Sequence, residues 1–246
     1  MQLIALKGIP KIKKGDDLGE LILRAVEKQN LPLEENDVIV LAQTIVSKSE
    51  GNVVYLREVK PSNLAEQIAA RLEKDPHEVE VILQQSSEIV RLRHVIISRT
   101  KHGFVCANAG VDHSNVEPEH VTILPDDPDA SAARVRDSIK RRLGVNVAVI
   151  ITDTQGRAFR MGCVGIAVGV AGMNPLLDLR GERDLYGKEL RVTITSPADA
   201  LASAAVAEMG EASEGTPVVV VKGATYDRSQ GSARELVRPP EQDLFR

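Results

Sequence analysis

The sequence has few aromatic residues and no extended basic region. Aromatic side chains make up 2% of the 246 residues, and tryptophan is absent. Surfaces that bind single-stranded nucleic acid need aromatic faces on which bases stack. The formal net charge is -4, and the lysines and arginines form only short patches at residues 11–14 and 140–142. We therefore expect no nucleic-acid partner.

Cysteine and long apolar runs are also scarce. The two cysteines, Cys106 and Cys163, match no metal-binding spacing and are too few for a disulfide scaffold. No stretch approaches the roughly 18 consecutive apolar residues of a membrane span. The N-terminus lacks the basic region and cleavage signature of a signal peptide. We therefore expect a reduced, cytoplasmic protein that does not associate with membranes.

Several familiar catalytic and nucleotide-binding motifs are missing. The sequence contains no GxxxxGK[ST] phosphate loop, no GxGxxG after a strand, no HExxH and no GxSxG. The glycines at positions 165, 169 and 172 have the wrong spacing for a dinucleotide fingerprint. They are more typical of a strand that packs closely against another backbone.

The residues that are present favour a mixed α/β or α+β protein with mixed sheets and flanking helices. Valine, isoleucine, leucine and alanine must build the core, and apolar strand-like runs alternate with helical patterns. The length allows one large domain or two small ones, so we expect a single unit over residues 1–246, with any subdomain boundary unreadable.

The expected elements follow from apolar periodicity, caps and turn residues. Strands are predicted before a turn at Gly8 and over residues 37–44, 146–152, 189–195 and 216–223, and a hairpin turns at residues 101–103. Helices are predicted over residues 16–29, from Ser62, near Pro76, up to Gly144 and from Ser196. The tail, residues 238–246, is expected to be exposed and loosely held.

The first polar stretch of interest is "VIITDTQGRAFRMG", residues 149–162. A β-branched run leads into Asp153 and Thr154, and two guanidiniums, Arg157 and Arg160, follow. We interpret this as a buried strand that ends on a carboxylate. The alternative is a plain structural role for Asp153, as a helix N-cap or in an ion pair with an arginine.

Two further stretches carry acids in glycine-containing loops. "CANAGVDHSNVEPEH", residues 106–120, places Asp112 and Asn115 after a predicted strand, although an Asx-rich turn would have the same composition. "EMGEASEGTP", residues 208–217, places Glu211 between a helix and a strand, although a solvated loop is the simpler alternative.

Together, the three stretches hold the ligand types that hard cations prefer. Asp112, Asp153, Thr154 and Glu211 offer carboxylate and hydroxyl oxygens, which suit Mg²⁺ or Mn²⁺ bridged to phosphates. Lys48 could provide a point charge for a phosphate. Arg157 and Arg160 could grip phosphate or carboxylate oxygens.

The same stretches carry a family resemblance. "NAGVDHSNV" (108–116), "ITDTQGRAFRMG" (151–162), "RDLYGKEL" (183–190) and "EMGEASEGTP" (208–217) resemble the coenzyme F420-0:L-glutamate ligase family, also called gamma-glutamyl ligase. "LKGIPKIKKGDDL" and "QTIVSKSEG" near the N-terminus match as well. The matches occur in family order and cover nearly the whole chain.

The resemblance implies an activity, its cofactors and an assembly. The family adds L-glutamate to the lactyl carboxylate of the deazaflavin phosphodiester F420-0, and then adds a further glutamate through a γ-linkage. GTP is the co-substrate, two Mg²⁺ or Mn²⁺ ions are required, and K⁺ stimulates the reaction. The fold binds nucleotide without a phosphate loop, and two chains form an intertwined homodimer.

The resemblance also implies roles for individual residues. Asp112 and Asp153 would be catalytic and hold one metal ion, and Thr154 and Glu211 would help to hold the second. Arg157 and Arg160 are assigned by residue type instead: they would bind substrate, or they would only brace the loop. Ala212 and Ser213 replace glycines that some relatives have, which leaves individual contacts of that loop open. The nucleotide would contact Gly8, Ile9, Pro10, Lys11, Gln43, Thr44, Lys48, Asn115, Met209, Gly210, Glu211, Ala212, Ser213, Glu214, Gly215 and Thr216.

Two other functions are compatible with these residues. One is a metal-dependent phosphoryl or nucleotidyl transferase that acts on another anionic substrate. The other is a non-catalytic module that binds a nucleotide or a deazaflavin. The paired metal-type aspartates argue against the second, because a pure binder has less need of them.

Overall fold

The computed structural model of the protein describes residues 1–243, which form a mixed α+β fold, as the sequence predicts. The α-helices are α1 (Leu18–Lys28), α2 (Gln43–Glu50), α3 (Asn63–Leu72), α4 (Pro76–Gln85), α5 (Pro128–Leu143) and α6 (Pro197–Met209). The strands are β1 (Gln2–Ala5), β2 (Val38–Ala42), β3 (Val53–Tyr55), β4 (Ser86–Leu92), β5 (Ile96–Thr100), β6 (Val105–Ala107), β7 (His120–Thr122), β8 (Ala148–Arg157), β9 (Arg160–Ala171), β10 (Leu177–Asp178), β11 (Ile194–Thr195) and β12 (Val218–Lys222).

The largest sheet has five strands in the order β1-β12-β2-β8-β9. Only β2 and β8 are parallel, and the other neighbours are antiparallel. The first four residues of β2, of β8 and of β12 are all buried. Such continuous apolar runs are typical of strands that are covered on both faces. The main hydrophobic core forms around this sheet, against α1, α5 and α6.

A second hydrophobic cluster lies in the segment between α2 and α5. It packs α3 and α4 beside the three-stranded sheet β4-β5-β6 and the pair β3-β7. Its largest fully buried side chains include Ile82 and Ile96. The single unit that we expect over residues 1–246 stays a prediction.

Local signals placed several elements correctly. The Ser62 hydroxyl caps α3 by accepting the Ala65 N–H, and the Ser196 hydroxyl caps α6 by accepting the Asp199 N–H. Gly144 ends α5 with a φ of 75°, a conformation that costs glycine little. The hairpin predicted around residues 101–103 is confirmed as the antiparallel pair β5-β6.

Other boundaries were predicted wrongly. The strand expected over residues 37–44 ends at Ala42, and Gln43 and Thr44 begin helix α2 instead. This helix was missed because it has no side-chain N-cap and only a weak amphipathic pattern. The strand expected over residues 189–195 is reduced to Ile194–Thr195, which pairs with β10.

The largest correction concerns "VIITDTQGRAFRMG". Its strand does not end at the carboxylate, because β8 runs through Asp153 to Arg157 and pairs with β9 in a long hairpin. Pairing with β9 satisfies the backbone of these polar residues, which therefore continue the sheet. A helix N-cap by Asp153 is excluded by this geometry.

The glycines of β9 pack closely, as their spacing indicated. A Cβ atom on Gly165 would lie 2.5 Å from Val206 Cγ2 and 2.6 Å from the Ala202 carbonyl oxygen of α6. A Cβ atom on Gly169 would lie 2.5 Å from the Pro128 carbonyl oxygen of α5. The absence of a side chain lets β9 approach both helices.

The predicted exposed tail is described only in part. Residues 238–242 are exposed, and Pro240–Gln242 form a short 3₁₀ turn. Residues 244–246 lie outside the described part of the chain. Between residues 1 and 243, no helix has the length and apolar character needed to cross a membrane.

Candidate active site

A cavity of about 560 Å³ lies where β2 ends and β8 continues past it. These two strands are parallel, so their carboxyl ends point to the same edge of the sheet, which is the usual place for ligands in parallel sheets. Five segments form most of its wall: residues 9–12, the start of α2 up to Lys48, residues 107–115, residues 152–156 and the loop 209–217.

Three carboxylates from distant parts of the chain meet at this cavity. Asp112, Asp153 and Glu211 all line it, and the charges of Asp112 and Glu211 both act on Asp153. The Thr154 hydroxyl donates a hydrogen bond of 2.9 Å to Glu211 Oε1. The loop after α6 is thereby joined to the hairpin strand that carries Asp153.

Asp112 is held in place by its own loop. Its backbone exchanges two hydrogen bonds with Thr122, so the residue forms an isolated bridge to β7. Its carboxylate accepts hydrogen bonds from the Ser114 N–H, at 2.9 Å, and from the Ser114 hydroxyl. The Asx turn that the composition suggested is therefore real, and it coexists with a carboxylate facing the cavity.

Burial strongly perturbs the Asp153 carboxyl group. The pKa of Asp153 is raised to about 6, mainly by desolvation and to a lesser extent by the nearby charges of Asp112 and Glu211. Hydrogen bonds from the Gln155 side chain, at 2.9 Å, and from the Thr154 N–H oppose this rise. A raised carboxyl pKa in a cleft is typical of functional sites.

Positive groups face these acids across the cavity. Lys48 Nζ donates a hydrogen bond to the Asn115 carbonyl, which ties α2 to the Asp112 loop. Burial lowers the pKa of Lys48, whereas the charge of Asp112 raises it and that of Lys11 lowers it. The start of α2 also lines the cavity without a side-chain cap, so its first N–H groups can bind an anion.

The loop after α6 closes the site on one side. Gly210 has a φ of 73°, and a Cβ atom there would lie 2.2 Å from the Glu214 carboxyl carbon. Glu214 folds back and accepts the Ala212 N–H at 2.8 Å. The Thr216 hydroxyl donates to the Met209 carbonyl at 2.9 Å. The loop therefore has a defined shape that only glycine at position 210 permits.

The donor set fits hard divalent cations held by few protein ligands. In the part of the chain that the structure describes, no three His, Cys, Asp or Glu side chains are close enough to form one metal cluster. The charges of Asp112 and Glu211 both act on Asp153, and Glu211 also accepts the Thr154 hydrogen bond. Mg²⁺ is commonly bound in this way, through one or two carboxylates plus phosphates and water.

Most of the predicted site residues reach the cavity, and four do not. Neither arginine predicted to bind substrate lines it: Arg157 donates to the Met161 carbonyl at 2.8 Å and braces the hairpin end, and Arg160 is exposed. Gly8 and Ser213 lie outside its wall. The predicted residues that do line it are Ile9, Pro10, Lys11, Gln43, Thr44, Lys48, Asp112, Asn115, Asp153, Thr154, Met209, Gly210, Glu211, Ala212, Glu214, Gly215 and Thr216.

Sequence reasoning missed two residues of the cavity wall, Gln155 and Cys163. Gln155 lies two residues after Asp153 on β8 and donates to its carboxylate, so strand alternation could have indicated it. Cys163 lines the cavity. Cys106 is buried nearby, and the charge of Asp153 contributes to the rise of its pKa. Burial raises the pKa of the Cys106 thiol to about 12, which keeps it protonated and unreactive.

The raised pKa of Asp153 makes stability depend on pH. The folded state holds this proton more tightly than the unfolded chain, so the contribution of Asp153 to stability is full below about pH 4 and is lost as pH rises through about 6. Asp153→Asn removes this dependence and should stabilise metal-free protein at pH 7 by roughly 2–3 kcal/mol. Urea unfolding of both proteins in EDTA at pH 4 and pH 7 checks this. An equal gap at the two pH values would contradict it.

Comparison with known proteins bears directly on these stretches. A sequence model of the family described as F420-0:Gamma-glutamyl ligase matches residues 8–223. The chain is 50% identical to the coenzyme F420:L-glutamate ligase of Methanothermobacter thermautotrophicus, over 100% of this chain and 99% of that protein. It is 49% identical to the same enzyme of Methanopyrus kandleri, over 96% and 94%, and 46% identical to that of Methanocaldococcus jannaschii, over 100% and 97%.

The cavity, with its acids and its uncapped helix start, lies within the matched region, and the matches define the chain as a ligase. It belongs to the F420-0:gamma-glutamyl ligase family.

Proposed function

We propose that the protein is a GTP-dependent ligase that adds L-glutamate to the lactyl carboxylate of coenzyme F420-0, and then a further glutamate by a γ-linkage. The observation that carries this proposal is the meeting of Asp112, Asp153, Glu211 and Lys48 at one cavity, in a chain of this family. The names of the relatives support the substrates. GTP and the number of glutamates are supported by the resemblance of the motifs.

The nucleotide phosphates have a natural place beside α2. The uncapped N–H groups at Gln43 and Thr44, together with the charges of Lys11 and Lys48, would bind them. The loop 209–217 would enclose the nucleotide from the opposite side. This arrangement needs no phosphate loop, which agrees with the absence of that motif.

Two divalent ions, Mg²⁺ or Mn²⁺, fit the acids of the cavity. Asp112 and Asp153 would hold one ion, and Thr154 and Glu211 would help to hold the other. Bound there, such ions neutralise charge on a transferring phosphoryl group. Stimulation by K⁺ is part of the proposal, on the strength of the family resemblance.

The reaction joins a carboxylate to an amine, so the carboxylate must first be activated. The F420-0 carboxylate oxygen would form a bond to the γ-phosphorus of GTP, and GDP would leave. The glutamate amine would then attack the acyl carbon of the resulting acyl phosphate, expelling phosphate and losing a proton. The protein mainly positions groups and offsets charge. No nucleophilic side chain is needed, which agrees with the absence of a Ser/His or Cys/His arrangement from the sequence.

Mass spectrometry of the products tests this function. Purified protein incubated with F420-0, GTP, L-glutamate and Mn²⁺ should yield F420 species that are heavier by one and then two glutamyl residues, with GDP released. Phosphoryl or nucleotidyl transfer to other acids without a glutamyl product would indicate the transferase alternative. Saturable binding of GTP without any GDP formation would indicate a binding module.

We also propose a homodimer, and exposed apolar side chains support it. The segment between β10 and β11, residues 179–193, is called the excursion here. It carries Leu185 and Tyr186, whose side chains are 101% and 97% exposed. Met161, at the start of β9, is 96% exposed. Apolar surface of this kind is typical of sites of protein association.

Light scattering should therefore give twice the chain mass of 26.7 kDa. Tyr186→Glu should shift the equilibrium toward the monomer, because it would bury a charge in the interface. Lys60→Glu, at an exposed position just before α3, is the matched control. A monomeric wild-type protein at micromolar concentration would contradict the proposal.

A further inference from the structure

A second, smaller cavity of about 210 Å³ shares Gln155 with the main one as a lining residue. This volume is below the roughly 300–1,000 Å³ typical of pockets for drug-sized ligands. It suits a ligand much smaller than a nucleotide or a deazaflavin. Its wall comes from β5, β6, the hairpin strands, the first turn of α6 and the C-terminal segment. The lining includes Arg99, Phe104, Gln155, Asp199, Val237 and Arg238.

Arg99 has hydrogen-bonding capacity that the protein does not use. Its Nε donates to Glu88 Oε2 at 3.0 Å, and this ion pair fixes the guanidinium on the sheet. Its Nη2 is buried and has no partner among residues 1–243. A buried guanidinium N–H without a partner is costly. A turn of the guanidinium toward the cavity would let an anionic ligand there accept this hydrogen bond.

The charges of the cavity match a ligand that carries both signs. Arg99 and Arg238 supply two guanidiniums, and Asp199 and Asp243 supply two carboxylates. Asp199 also accepts the Ala167 N–H at 2.9 Å, which fixes it beside β9. A phosphate or another simple anion would be repelled by the acids. An amino acid with a second carboxylate offers anionic groups to the arginines and an ammonium group that the acids tolerate.

Gln155 connects the two cavities, because its side chain lines both. Its Nε2 donates to Asp153 Oδ2, so its Oε1 is left to accept from a ligand amine. A ligand whose carboxylates lie near Arg99 and Arg238 could direct its amine toward Gln155. That direction leads to the main cavity, where the activated carboxylate would lie.

We propose that the second cavity is the site of the acceptor amino acid, L-glutamate, with Arg99 and Arg238 gripping its carboxylates and Gln155 receiving its amine. This inference rests on the proposed function, since it assigns a place to one of its substrates.

Steady-state kinetics of Arg99→Gln and Arg238→Gln test the assignment. Loss of a charge-assisted hydrogen bond should raise the KM for L-glutamate about 10- to 100-fold, whereas the KM for GTP should stay within about twofold of wild type. Arg238 is exposed, so its replacement should leave the melting temperature unchanged even if the partly buried Arg99 affects folding. Arg91→Gln, exposed on β4 and outside both cavities, is the matched control.

An unchanged KM for L-glutamate in both folded variants would overturn the assignment and leave the ligase proposal intact. If the wild-type protein forms no glutamylated product, the ligase proposal fails, and calorimetric titration with L-glutamate then decides about the cavity. Binding to wild type that is lost in Arg238→Gln would support it. No heat of binding at millimolar L-glutamate, with or without GTP, would overturn it.

Discussion

Asp153→Asn is expected to lower glutamate-dependent phosphate release about 10²-fold or more, because the amide cannot replace a charged metal ligand in phosphoryl transfer. The fold should be retained, since asparagine fits the same space and can still accept the Gln155 hydrogen bond. Rates of phosphate release at saturating GTP, F420-0 and Mn²⁺ give the measurement. Loss of activity with undiminished stability would separate a functional role from a structural one.

Asp137→Asn provides the matched control for this experiment. Asp137 lies on α5 and pairs with Arg136 at 2.9 Å, outside both cavities. Surface pairs of this kind contribute little to stability, so this variant should keep wild-type rates. Near wild-type turnover in Asp153→Asn would show that Asp153 is not a metal ligand in the reaction.

Gly169→Ala is expected to destabilise the protein by about 1–3 kcal/mol or more, because an added methyl group would overpack the contact between β9 and α5. Its Cβ atom would lie 2.5 Å from the Pro128 carbonyl oxygen and 2.6 Å from the carbonyl carbon. Both are backbone atoms, which cannot rotate away as a flexible side chain could. Urea unfolding monitored by circular dichroism would measure the loss.

Gly156→Ala separates this packing effect from the general cost of replacing a strand glycine. Gly156 lies on the neighbouring strand β8, and a Cβ atom there would meet no heavy atom within 4 Å. Its stability should therefore equal or slightly exceed that of wild type, because alanine restricts the unfolded chain. Equal stability of the two alanine variants would mean that the close approach at Gly169 relaxes at little cost.

The element types were largely readable from the sequence, and their boundaries were less so. Apolar periodicity and caps identified α1, α3, α5 and α6, because these signals are local in the chain. Helix α2 was not predicted, because it starts directly after a buried strand and has no capping side chain. The extension of β8 past Asp153 was not predicted either. Polar residues continue a strand when a neighbouring strand pairs with them, and the pairing with β9 is not visible in the local sequence.

The sequence predicted the residue types of the candidate site but not their arrangement in space. The acids and Lys48 stood out by residue type and by family resemblance, and they do line one cavity. Residue type left two roles open for Arg157, and its guanidinium bonds to the Met161 carbonyl of its own hairpin. The position of an arginine relative to a cavity depends on the direction of its strand, which composition does not contain.

The sequence by itself determined the α+β class, the family and the set of acids, since each depends on local patterns or on motifs that stand in order along the chain. Only the tertiary structure decided that Asp112, Asp153 and Glu211 meet, because parallel pairing of β2 with β8 creates their common edge. The tertiary structure also forms the second cavity, because it brings together Arg99, Asp199 and Arg238, which are far apart in the chain. Long-range packing brings such residues together, and no local signal encodes it.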